Sequence, residues 1–146
     1  MEKPYRIVIA DHHVPFRSSL KSFFWEKADW HVVGEAGNSR ELLDLLRGLS
    51  GNNLTPHLVI LDMSMPVLKG IEATRQIKMS YPDTGVLVLS MQDSGEYVNH
   101  VLSAGAGGYL LKKDTAAEIF TAIESIRQGG VYVSPILSSK IENGFG

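Results

Sequence analysis

Four runs of consecutive apolar residues constrain this chain most: Ile7-Val8-Ile9-Ala10, Leu58-Val59-Ile60-Leu61, Val86-Leu87-Val88-Leu89 and Tyr109-Leu110-Leu111. None alternates apolar with polar residues, as a strand with one wet face does, so each reads as a strand buried on both faces. A parallel sheet covered by helices on each side meets that demand.

The intervening stretches have helical spacing. From Phe16 to Trp25, residues Leu20, Phe23 and Phe24 fall on one stripe; Trp30 to Ala36 reads as a further strand. Ser39 is placed to cap a helix from Arg40 to about Arg47, and the turn-forming residues Gly48 to Pro56 read as a loop. Further helices are expected from about Lys69 to Tyr81, Glu96 to Ala104 and Thr115 to Gln128. Five β-α pairs result, which a doubly wound five-stranded sheet accommodates, with its ligand site at the carboxyl ends of the strands.

Composition narrows the class. The 146 residues carry 14 Lys and Arg against 16 Asp and Glu, and no cysteine. That excludes disulfide scaffolds, zinc ribbons and cysteine nucleophiles, and fits a cytoplasmic protein. No basic cluster suits phosphate-backbone binding, no apolar run approaches the roughly 20 residues of a membrane span, and Met1 to Tyr5 has no signal-peptide core.

Four of the five strands, the first, third, fourth and fifth, close on a polar residue: Asp11, Asp62, Ser90 and Lys112. Two carboxylates can hold a divalent cation, a hydroxyl can hydrogen-bond a phosphoryl oxygen, and an ammonium can neutralise it. This set suits phosphoryl transfer, with a carboxylate such as Asp62 as nucleophile. The separations of 51, 28 and 22 residues each match one or two β-α units.

With these residues in hand, the chain resembles the receiver domains of bacterial two-component response regulators over about residues 5 to 130. The carrying motifs are Ile7-Val8-Ile9-Ala10-Asp11-His12-His13, Leu58 to Pro66 with Gly70, Leu87-Val88-Leu89-Ser90 and Ala104 to Lys112. His13, Gly108-Tyr109-Leu110-Leu111-Lys112 and Gly129 to Pro135 resemble the LuxR-type (NarL/FixJ) subfamily. The resemblance implies a flavodoxin-like fold with strand order 2-1-3-4-5. It implies Asp62 as phosphoacceptor from a histidine kinase, Mg²⁺ held by Asp11, Asp62 and the Ser64 carbonyl, and Lys112 paired with the phosphate. Ser90 would bind the phosphoryl oxygen and, with Tyr109, form the switch. Such a domain is a signalling protein rather than a conventional enzyme.

His12 departs from that pattern, standing where the family has a second acid that is usually the direct Mg²⁺ ligand. Imidazole is a poor ligand for this hard cation. Competing readings are therefore a pseudo-receiver that acts as a protein-interaction module without Mg²⁺, and a site retuned for a nitrogen-loving metal such as Zn²⁺ or Mn²⁺. Met91 stands where a small residue is usual, and Lys113 where proline is common. Residues 1–130 are expected to form the receiver domain and residues 131–146 a C-terminal tail or the start of a linker to a helix-turn-helix domain, so DNA contact is expected only through a domain absent from this chain. Homodimerisation is a further expectation of the resemblance.

Overall fold

The computed structural model describes residues 4–64 and 70–138. Strands β1 (Tyr5–Ala10), β2 (Trp30–Ala36), β3 (Leu58–Asp62), β4 (Gly85–Ser90), β5 (Gly108–Leu111) and β6 (Tyr132–Val133) form one sheet. All its pairings are parallel, in the order β2-β1-β3-β4-β5-β6. Helices α1 (Val14–Phe24), α2 (Ser39–Gly51), α3 (Gly70–Ser80), α4 (Gly95–Ser103) and α5 (Thr115–Arg127) connect them. The five-stranded core has the expected order, and β6 extends its outer edge. The sheet therefore continues past residue 130, and Leu137 is buried in the core beside it.

Strand alternation sorts the core onto two faces. Val8, Ala10, Val59, Leu61, Val86, Val88 and Tyr109 pack on one side with Leu42, Leu46, Ala73, Ile77 and Val101 from α2, α3 and α4. Ile7, Ile9, Leu58, Ile60, Leu87 and Leu89 pack on the other with Leu20, Phe24, Ile119 and Ile123 from α1 and α5. At about 1.5–3 kcal/mol for each fully buried aliphatic side chain, this two-sided burial is what the unalternated runs provide.

Three local boundaries differ from the sequence expectation. Asn38, rather than Ser39, caps α2: its side chain accepts from Glu41 N at 2.9 Å, while Glu41 Oε2 accepts from Gly37 N at 3.0 Å. The same helix runs on through Gly48 to Gly51, because Leu49 packs against the core and both glycines face open space. α1 begins at Val14, with Pro15 in its first turn, where the missing N–H has no intrahelical partner to lose. The expected helix start at Lys69, and Met65 and Pro66 of the quoted motif, lie outside the described residues. All described peptide bonds are trans, Lys112–Lys113 included.

Candidate functional site

The chain order reverses at β1, which has β2 on one side and β3 on the other. In an open parallel sheet the crevice at such a reversal lies beyond the carboxyl ends of the strands. Asp11 follows β1 and Asp62 ends β3, so the two carboxylates face one another across that crevice, only 1% and 2% exposed.

Lys112, the first residue of a 3₁₀ turn after β5, reaches both. Its Nζ lies 3.0 Å from Asp11 Oδ2 and 3.4 Å from Asp62 Oδ2. The ammonium also sits over the Phe16 ring, 4.5 Å from its centroid, so α1 fixes its height above the sheet. His12 turns toward the same oxygen, with Nδ1 3.3 Å from Asp62 Oδ2 and about half of its side chain exposed. His13 holds the N-cap position of α1 without a side-chain capping bond, and its backbone N–H donates to Asp11 Oδ1 at 2.7 Å.

Hydrogen bonds fix the phosphoacceptor candidate further. Ser64 N donates to Asp62 Oδ1 at 3.1 Å, and Ser64 Oγ lies 3.0 Å from each carboxylate oxygen. Asp11 is less satisfied: its buried Oδ2 accepts no hydrogen bond and has Lys112 as its close cation. Arg17, which the sequence did not single out, braces the loop by donating from Nη1 to the Asp11 carbonyl at 2.5 Å. Arg17 is itself held by Glu35, whose carboxyl stays below its usual range through the Lys21 hydrogen bond and the adjacent Lys21 and Arg17 charges.

Ser90 ends β4 beside these groups, buried, and lines a cavity of about 120 Å³ with Met91, Asp93, Leu111, Lys112 and Lys113. Its Oγ accepts from Gln92 N at 2.9 Å. Met91, in the same lining, is mostly exposed. Tyr109 is fully buried, and its hydroxyl donates to the Gln92 carbonyl at 2.7 Å. Burial pushes that phenol up to about 12, against a smaller opposing effect of the Ser90 hydrogen bond, so it remains a donor at neutral pH.

The structure thus gathers Asp11, His12, Asp62, Ser64 and Lys112, sets Ser90 at the rim and joins Tyr109 to it through Gln92. Phe16, Arg17 and Gln92 were not legible beforehand, because their parts depend on how α1 and the β4–α4 loop fold back. Two carboxylates suit Mg²⁺; the imidazole nitrogen among them does not.

Comparison with known proteins bears on the family and the fold. The family model "Response regulator receiver domain" matches residues 7–124. The chain is 37% identical over 134 residues to the transcriptional regulatory protein DegU of Brevibacillus brevis, covering 92% of this chain and 55% of that protein. It is 36% identical to the oxygen regulatory protein NreC of Staphylococcus epidermidis, covering 96% of this chain and 62% of the relative. The chain therefore spans little more than half the length of these relatives. A solved LuxR-family two-component response regulator from Aurantimonas sp. SI85-9A1 superposes with a TM-score of 0.88 at 29% identity, covering 98% of this chain and 99% of the other. Among the described residues no helix is long and apolar enough to cross a membrane. By this family match, with the relatives and the shared fold beside it, the chain belongs to the response regulator receiver domains, in their LuxR-type branch.

Proposed function

We propose that this domain accepts a phosphoryl group on Asp62 from a phosphohistidine of a partner histidine kinase. An Asp62 carboxylate oxygen attacks phosphorus, the P–N bond to the donor imidazole breaks, and an acyl phosphate forms while the donor nitrogen takes up a proton. The observation that carries this reading is the placement of Lys112 Nζ within 3.4 Å of both Asp62 and Asp11 at the switch point of the sheet. That ammonium neutralises charge gathering on the phosphoryl oxygens, in a reaction governed by positioning and electrostatics.

Ser64 N and Oγ hold Asp62 in its attacking orientation. Ser90 gives up its bond from Gln92 N to reach a phosphoryl oxygen, and the change passes to Tyr109 through the Gln92 carbonyl. Asp11, Asp62 and the Ser64 carbonyl would hold Mg²⁺, which supplies further neutralisation of the phosphoryl oxygens when bound. Transcriptional output through a helix-turn-helix domain of a longer protein belongs to the same reading, which the relative named transcriptional regulatory protein DegU supports as far as transcriptional regulation; a cytoplasmic location and homodimer formation are further proposals of this reading.

A second reading has one observation in its favour: His12 turns its Nδ1 to within 3.3 Å of Asp62 Oδ2, so an imidazole stands in the pocket where a second acid is usual. A domain altered in this way would dock its partner without phosphorylation. Incubation with acetyl phosphate and Mg²⁺, read by intact mass, separates the two. Phosphorylation adds about 80 Da to the native protein and nothing to Asp62→Asn; no addition under any cation favours the interaction module.

A further inference from the structure

The cluster Asp11, His12 and Asp62 offers one nitrogen and two oxygens within 4.8 Å of one another. We propose that it takes a borderline divalent cation, of the Co²⁺ or Zn²⁺ class, in preference to Mg²⁺, with His12 as the selecting ligand. The proposal rests on the same site as the phosphoryl-transfer reading but concerns which cation the site admits.

Three observations carry it. His12 Nδ1 stands 3.3 Å from Asp62 Oδ2, and two donors each about 2.1 Å from a shared cation at tetrahedral to octahedral angles stand about 3.0–3.4 Å apart. Asp11 Oδ2 is buried, accepts no hydrogen bond and faces the same crevice. His12 is half exposed, so its ring is free to close on a cation without disturbing the core.

Ligand chemistry then sets the preference. Imidazole gains little by replacing water on Mg²⁺, whereas Co²⁺ and Zn²⁺ bind nitrogen well. Lys112 Nζ is the resident competitor, at 3.0 and 3.4 Å from the two carboxylates. A dication that also gains the His12 nitrogen has a contact with which to displace it, and Mg²⁺ does not.

The test titrates the protein with Co²⁺ and with Mg²⁺, without a phosphodonor, following heat and the visible absorption of cobalt. His12→Asp, His12→Gln and His13→Ala are measured alongside, each checked for an unchanged fold by circular dichroism. Co²⁺ favours nitrogen and oxygen sites alike over Mg²⁺, so the decisive quantity is the change in the Co²⁺-to-Mg²⁺ affinity ratio on substitution. His12→Asp is expected to lower that ratio about tenfold or more, His12→Gln to weaken Co²⁺ alone, and His13→Ala to change neither.

An unchanged ratio in His12→Asp, loss of Co²⁺ binding in His13→Ala, or failure of the native protein to bind either cation would overturn the proposal. None of these readouts depends on phosphorylation. Intact cation selectivity together with no phosphoryl uptake under either ion would count against the phosphoacceptor role alone.

Discussion

At the carboxyl end of the sheet buried charged groups face one another, whereas at its amino end Arg6 and Lys78 are answered by backbone carbonyls and the Arg127–Asp29 pair lies partly exposed. Asp11, Asp62, His12 and Lys112 meet at 3.0–3.4 Å, longer than good charged hydrogen bonds, and Asp11 Oδ2 accepts none. At the opposite end Arg6 donates from Nε and Nη2 to the Thr55 carbonyl, Thr84 Oγ1 donates to the Pro56 carbonyl at 2.8 Å, and Lys78 Nζ donates to the Pro82 and Thr84 carbonyls. One end is left with charges that a phosphoryl group or cation can engage; the other closes its polar groups for stability. Sites poised for chemistry commonly carry such a stability penalty.

Substitutions at the two ends should therefore separate stability from phosphoryl uptake. The largest effect is expected from Lys112→Met, which leaves two buried carboxylates without their cation. It should lower unfolding free energy by about 3 kcal/mol and abolish phosphoryl uptake, read by denaturant titration and intact mass. Thr84→Val at the amino end removes a buried hydrogen bond and should cost about 1–2 kcal/mol while leaving uptake at the native rate. A slower uptake in that variant would break the contrast.

Tyr109→Phe should cost about 1 kcal/mol through the unpaired Gln92 carbonyl. It should leave uptake intact while altering any response at the surface, measured as partner binding or self-association before and after phosphorylation.

The smallest effect is in pH dependence. Burial, then the charges of Arg6 and Arg127, hold the His57 imidazole below its usual value, and its Nδ1 accepts from Arg6 N at 2.9 Å. The unfolded chain thus binds the proton more readily than the folded one. The His57 contribution to stability is fully present above the unfolded value of about 6.5 and is lost as pH falls through it toward the lower folded value. His57→Gln should flatten the slope of stability against pH across that window.

Much of this architecture is legible in the sequence because it depends on local, repeated signals. Unalternated runs such as Val86 to Leu89 are buried on both faces, and the residue after each run arrives at the crevice by strand geometry alone. What was not legible depends on cancellation or on distant partners. Gly48 and Gly51 signal a turn, yet Leu49 and the open space around both glycines let α2 continue. Tyr132–Val133 is too short to show a period, and joins the sheet by pairing with β5, with Tyr132 Oη donating to Glu118 at 2.6 Å. His12 could be marked as foreign to the acidic pattern, but its orientation toward Asp62 Oδ2 is set by the fold.

The claim at the centre of this contrast is that Asp62 is held for chemistry rather than for stability. Denaturant unfolding of Asp62→Asn beside the native protein tests it most directly, without added cation or phosphodonor. Removing one of two facing carboxylates while retaining an oxygen for Ser64 N should leave stability unchanged or raise it by up to about 1 kcal/mol. A loss of more than about 2 kcal/mol would show that the Asp62 charge is a structural element of the fold, and would contradict the account.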